Sequence, residues 1–149
     1  MTLSFRYATE TDLPAVVAML LDDDFAKARE SDALDTYRRA FAEMSKRGDN
    51  RVVLAEEDGE IVASLQLFFV TGLSRGGAKR AFVESVRVIS RLRGTGVGTA
   101  LMHHAIDEAG RAGCKLIQLT SDMRRRRAHL FYRRLGFIQS HFGFKLELA

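Results

Sequence analysis

The stretch from Val86 to Ala112 constrains this chain more than any other. Val86-Arg87-Val88-Ile89 has the β-branched character of a strand, Ser90 to Gly98 is a basic turn with glycines at 94, 96 and 98, and Thr99 to Ala112 is an amphipathic helical run. A chain that passes from strand to helix through such a turn presents free backbone N–H groups at the helix N-terminus, beside arginines and at the positive end of the macrodipole. The pattern predicts an α/β fold carrying an anion site, with phosphate as its ligand. Spacing argues against two familiar phosphate loops. No lysine follows any of these glycines, as G-x-x-x-x-G-K-[ST] requires, and the third glycine comes one residue early for G-x-G-x-x-G.

Charge is divided along the chain in the same sense. Residues 1–74 carry 8 Lys+Arg against 14 Asp+Glu, and residues 75–149 carry 15 against 5, beneath a net charge of only +4. A basic second half attracts nucleic acid, anionic lipid or a polyphosphorylated small ligand alike. At 149 residues the chain suits one domain, 1–149, with one substantial core. No apolar run reaches about 18 residues and no signal-like segment opens the chain, so the expectation is a soluble, cytoplasmic protein. Cys114 is the single cysteine, and the four histidines have no ligand spacing, so no metal site is expected.

Read in order, Leu3 to Ala8 alternates as a half-buried strand, and Thr9 to Asp12 supplies the cap of a first helix whose Leu13, Val16, Val17, Leu20 and Leu21 share a face. A second helix follows Ser31-Asp32 and closes near Gly48. Arg51 to Glu56 and Ile61 to Val70 form strands about an Asp58-Gly59 hairpin turn, and Thr71 to Lys79 is a loop. Ala81 to Ile89 is the strand entering the glycine turn, Lys115 to Thr120 a further strand, Arg125 to Leu135 a last helix capped by Gly136, and Ile138 to Leu148 the closing strands.

Two motifs in this order resemble one family. Arg93-Gly94-Thr95-Gly96-Val97-Gly98 matches R-x-x-G-x-G, and Ala128-His129-Leu130-Phe131-Tyr132-Arg133-Arg134-Leu135-Gly136-Phe137 matches A-x-x-x-Y-x-x-x-G-F. Both resemble the GCN5-related N-acetyltransferase (GNAT) family, and the element order β-α-α-β-β-β-α-β-α-β is similar over the whole chain. The resemblance implies a single-domain fold with a mixed central sheet flanked by about four helices, and acetyl-CoA as acetyl donor. It also implies direct transfer to a primary amine of a small molecule, with a protein lysine or N-terminus also open. Two alternatives stand beside it: a noncatalytic acyl-CoA-binding sensor, and a nucleic-acid-binding module, which the absence of an aromatic-basic interleaved strand disfavours.

The resemblance carries residue roles. The main chain of Val86, Arg87 and Val88 would pair with the pantetheine arm, and Arg93, Gly94, Thr95, Gly96, Val97, Gly98 and Thr99 would hold the pyrophosphate. Tyr132 would be the general acid for the departing thiolate, against the alternative of a core tyrosine on an amphipathic helix. If no bulge intervenes, Phe82, Glu84, Val86 and Val88 share one strand face, placing the Glu84 carboxylate in an apolar row where burial would suit it to accept a proton. The alternative is that Glu84 pairs with a cation or turns to solvent at a bulge. The asparagine common in relatives three residues before the alanine of the last helix is here Arg125, within Arg124 to Arg127, a run open to three readings: contact with the cofactor's ribose 3′-phosphate, binding of RNA or DNA, or a solvated helix start. Asp22, Asp23, Asp24, Glu30, Asp32 and Asp35 lie where relatives line the acceptor side and would favour a cationic amine. No membrane partner is expected, and homodimers are common in the family.

Overall fold

The structure, a computed structural model, describes residues 2–149. Its packing divides into two compact units, one ending at Leu119 and one running Thr120–Ala149. In the first, β1 (Ser4–Tyr7) runs into a capping box in which the Thr9 N–H donates to Asp12 Oδ2 at 2.7 Å, and the short 3-10 turn Glu10–Asp12 leads into α1 (Leu13–Leu21). The Arg6 guanidinium grips both oxygens of Asp12, at 2.8 and 2.9 Å, and holds that buried carboxyl down at about 2. α2 (Leu34–Ser45) follows.

β2 (Asn50–Glu57) and β3 (Glu60–Thr71) form the predicted hairpin. Its two turn residues, Asp58 and Gly59, both have positive φ, as a two-residue turn matched to strand twist demands. The Thr71 to Lys79 loop contains a single turn, α3 (Ser74–Gly77), in which Arg75 and Gly76 depart from helical dihedrals. β4 (Lys79–Val88) enters the glycine turn, α4 (Val97–Arg111) leaves it, and β5 (Leu116–Gln118) is shorter than its apolar pattern.

The sheet order is β1-β2-β3-β4-β5, antiparallel except for the parallel β4–β5 pair, the mixed α/β sheet expected. Consecutive residues Val53, Leu54 and Ala55 alternate faces and are all fully buried, so both sides of the sheet are covered. α4 packs on β2, β3 and β4 through Leu101, Met102 and Ala105, and α1 packs on β3 and β4. That packing fixes the β4 to α4 turn at the C-terminal end of β4, where a phosphate site in an α/β sheet belongs.

In the second unit α5 (Arg126–Arg134) forms as expected, but the closing strands do not. Residues 137–149 have neither helix nor strand. The alternation in Ile138 to Leu148 is present, yet periodicity describes what a segment buries once paired; a strand exists only with a neighbouring backbone ladder.

Candidate active site

Gly94 and Gly96 have φ of 77° and 97°, and Gly96 is the N-cap of α4. An added Cβ at either would meet nothing within 4 Å, so the backbone there faces open space. Glycine is required by the left-handed conformation, and its missing side chain leaves the surface bare for a ligand. The N–H groups of Val97, Gly98 and Thr99, in the first turn of a 15-residue helix, are donors without intrahelical partners. Bare backbone, orphan donors and a helix dipole fit a pyrophosphate. The Thr95 N–H and hydroxyl both turn back to the Leu92 carbonyl and stiffen the turn.

The arginines of this turn have other engagements. Arg91 pairs with Glu60. Arg93 donates through Nε to the Val88 carbonyl at 3.1 Å, and through Nη2 to the Asp22 carbonyl and carboxylate at 2.9 and 3.0 Å. Arg93 thus ties the glycine turn to the segment after α1. The sequence pattern puts Arg93 at the start of the glycine turn but gives no sign of Asp22, 71 residues away.

β4 bulges where the resemblance puts the acyl group. Gln66 pairs with Glu84 and Ser64 with Arg87, so two steps on β3 face three on β4, and Ser85 and Val86 have no register partner. Ser85 takes φ 55°, a left-handed strain for a residue with a side chain. This corrects the predicted strand face: Glu84 and Arg87 share one side, with Gln66 and Ser64, while Val88 lies with Ala63 on the other. Glu84 is exposed instead of buried in an apolar row. The bulge removes part of β4 from the β3 ladder, which is what a main-chain ligand such as a pantetheine amide requires.

Arg87 is buried, and its Nε lies 3.4 Å from the Asp23 carboxylate, also buried. Asp23 Oδ1 accepts the N–H groups of Phe25 and Ala26 at 2.9 and 3.0 Å. The acids expected to attract a cationic acceptor are therefore largely engaged within the chain: Asp22 with Arg93, Asp23 with Arg87, Asp24 with Lys27, Glu30 with the Tyr37 hydroxyl, and Asp35 with Arg38. The partners of Asp22 and Asp23 lie far off in the sequence, where a local charge run does not reveal them, while those of Asp24, Glu30 and Asp35 are close neighbours in the chain.

In the second unit, Gly136 at φ 99° closes α5 with two bonds, Gly136 N–H to the Arg133 carbonyl and Phe137 N–H to the Tyr132 carbonyl. This double cap brings the Phe137 ring edge-on to Tyr132, centroids 5.9 Å apart, while Phe131 lies 5.1 Å from Tyr132. The A-x-x-x-Y-x-x-x-G-F spacing is thus a device that fixes the Tyr132 ring. Arg124 grips Asp122 at 2.8 and 2.9 Å and holds that carboxyl well below the usual range, so one cation of the arginine run is matched locally; Arg125 is the N-cap of α5.

Among the described residues no group of three or more His, Cys, Asp or Glu is placed to hold a metal ion, and no helix is long and apolar enough to cross a membrane. An open hollow of about 280 Å³ lined by Glu43, Met44, Arg47 and Phe68 to Val70 sits at the opposite end of β4 from the glycine turn, since Phe68 and Val70 pair with Phe82 and Arg80. It plays no part in the site.

Comparison with known proteins bears on the same residues. The chain is 32% identical over 143 residues, 96% of this chain and 90% of the other, to an aminoalkylphosphonate N-acetyltransferase of Salmonella typhimurium. It is 30% identical over 110 residues, 69% of this chain and 63% of the other, to a probable glucosamine 6-phosphate N-acetyltransferase of Oryza sativa subsp. japonica. Its fold matches the crystal structure of a protein described as a transcriptional regulator from Bacillus halodurans C-125 with a TM-score of 0.94 and 41% identity, over 99% of this chain and all of that one. The model of the acetyltransferase (GNAT) family, whose acetyl donor is acetyl-CoA, matches residues 16–137, spanning the bulged strand, the glycine turn and the Tyr132 helix; the chain belongs to that family and is an N-acetyltransferase.

Proposed function

We propose that residues 1–149 act as one cytoplasmic N-acetyltransferase domain, which acetylates the primary amine of a small molecule that also bears a phosphonate or phosphate group. The observation that carries the cofactor half of this reading is the bare, positive-φ backbone at Gly94 and Gly96 ahead of α4. Backbone N–H groups of Gly94 and of residues 96–99 hold the pyrophosphate, with Arg93 and Thr95 shaping the turn, Arg125 reaches a further phosphate, and the freed main chain of Val86 to Val88 receives the pantetheine arm. When bound, acetyl-CoA supplies an acyl carbon on a good leaving group. Glu84 accepts the proton of the acceptor ammonium, through water, and passes it to solvent. Tyr132 holds a proton at its phenol oxygen for the departing sulfur as the C–N bond forms and the C–S bond breaks. Transfer is direct: burial pushes the Cys114 thiol up, the wrong direction for a nucleophile.

The acceptor reading rests on two supports. The named relatives act on aminoalkylphosphonate and glucosamine 6-phosphate, each an amine with an anionic group. Of the acids that would have favoured a polycation, Asp22 and Asp23 are paired with Arg93 and Arg87, while residues 75–149 are strongly basic. Initial rates with acetyl-CoA and a panel of an aminoalkylphosphonate, glucosamine 6-phosphate, unphosphorylated glucosamine and a polyamine test it. The expected result is a kcat/KM at least about tenfold higher for a phosphorylated or phosphonylated amine, the effect of about 1.4 kcal/mol of recognition. Equal or better turnover of the polyamine would overturn it.

A further inference from the structure

The strand face that carries Glu84 also carries a cation. The register sets Arg80, Phe82 and Glu84 on one side of the sheet, opposite Val70, Phe68 and Gln66 of β3, while Ala81 and Val83 turn to the other side and are buried. Phe82 is half-buried and stacks on Phe68, with centroids 5.1 Å apart and rings 6° from parallel, so its ring is held from β3. The Arg80 guanidinium lies over the Phe82 ring, 5.4 Å from its centre, and donates through Nη1 to Gln118 Oε1 at 3.3 Å. Both contacts are with neutral groups, and among the described residues no carboxylate pairs with Arg80. The other arginine of this face, Arg87, is held by Asp23, and Gln66 gives its amide to Asn50 Oδ1 at 2.8 Å. A guanidinium with spare donors, an aromatic ring and an exposed carboxylate therefore stand in one row along the strand that leads to the bulge.

We infer that Arg80 is the residue that selects the acceptor: its guanidinium takes the phosphate or phosphonate group, the Phe82 ring carries the carbon skeleton, and Glu84 meets the amine. This rests on the reading of the acceptor as a phosphorylated or phosphonylated amine, and gives it a structural cause. Having given one N–H to Gln118, the guanidinium keeps the rest of its planar fork for oxygens, the geometry that suits a phosphate. Phe82 and Glu84 are two residues apart, about 7 Å along the strand, and Arg80 is drawn over the ring between them. The row thus has room for an amine and an anionic group a few bonds apart, with a hydrogen bond at each end. Its cation also repels a second ammonium group, so it rejects a polyamine as well as attracting a phosphate.

The test compares kcat/KM for glucosamine 6-phosphate with that for glucosamine, and for an aminoalkylphosphonate with that for the matching alkylamine, in the wild type, Arg80→Gln and Arg75→Gln. Arg75 is exposed on the loop between β3 and β4, and its substitution makes the same change in net charge. Arg80→Gln is expected to lower the preference for the anionic amine at least about tenfold with the acetyl-CoA affinity unchanged, Arg80→Lys to restore only part of it, and Arg75→Gln to move it less than about twofold. A wild type without any such preference would overturn the acceptor reading and this inference with it. A preference that survives Arg80→Gln, or that Arg75→Gln lowers as much, would overturn this inference alone. In the wild type itself, an alkylphosphonate lacking the amine should compete with the acceptor and shift the Arg80 Nε–H resonance; competition without that shift would also overturn it.

Discussion

Replacing Asp23 by asparagine should destabilise the protein far more than replacing its neighbour Asp22. The Asp23 and Arg87 side chains are 8% and 9% exposed, and Nε to Oδ2 is 3.4 Å. The asparagine amide would retain an oxygen for the Phe25 and Ala26 N–H groups, so the loss is the negative charge opposite a buried guanidinium. Removing one partner of a buried pair costs about 3–5 kcal/mol, mostly because the remaining charge stays desolvated. At 3.4 Å the contact is looser than a good charge-assisted hydrogen bond, so the lower end, about 3 kcal/mol, is the expectation. In a domain of this size that lowers Tm by roughly 6–12 °C. The Asp22–Arg93 pair is 58% and 52% exposed, and Asp22→Asn should cost no more than about 1 kcal/mol. Urea unfolding at neutral pH measures both. The cycle closes with Asp23→Asn/Arg87→Met, which removes the stranded charge and should recover most of the loss. If the double variant were as unstable as Asp23→Asn, the desolvation argument would be wrong.

Three further outcomes follow from the geometry. Asp12, held at about 2 by Arg6 and the Thr9 N–H, contributes stability that is complete above its ordinary value of 3.8 and lost as pH falls through about 2. With Arg6 itself 43% exposed, this amounts to about 1–2 kcal/mol between about pH 4 and pH 2, seen as a slope in urea midpoints that Asp12→Asn abolishes. Gly96→Ala forces a left-handed alanine at the α4 cap, costing about 1–2 kcal/mol, and places a methyl in the cradle; calorimetry should show acetyl-CoA affinity reduced at least about tenfold, and an unchanged affinity would remove the loop from the cofactor site. Tyr132→Phe should lower kcat at least about tenfold with the KM for acetyl-CoA nearly unchanged, and Glu84→Gln should alter the acid limb of the pH-rate profile; an unaltered profile would leave Glu84 a solvent-exposed strand residue.

The candidate site was legible where its chemistry is local. Gly94, Gly96 and the start of α4 show in the sequence because positive φ restricts residue choice, and the double cap at Gly136 shows for the same reason. Ser85 gave no such signal: it holds φ 55° with a side chain present, because pairing across the sheet imposes the conformation. The face assigned to Glu84 failed there, since one inserted residue reverses the alternation on which every strand-face argument depends. Nothing local marks Asp23, from the segment after α1, as the partner of Arg87.

By itself, the sequence determined the element order as far as α5, the Asp58-Gly59 turn, the capping of α1 and α5 and the glycine turn ahead of α4. Each rests on contacts within a few residues or on the period of one helix or strand. Only the tertiary structure decided the β4 bulge, the coupling of Asp22 and Asp23 to Arg93 and Arg87, and the absence of a ladder for Ile138 to Leu148. The physical reason is common to all three. Register, ion pairing and strand formation depend on which distant backbone or charge arrives alongside, and a one-dimensional pattern records what a segment can pair with, not whether the partner is there.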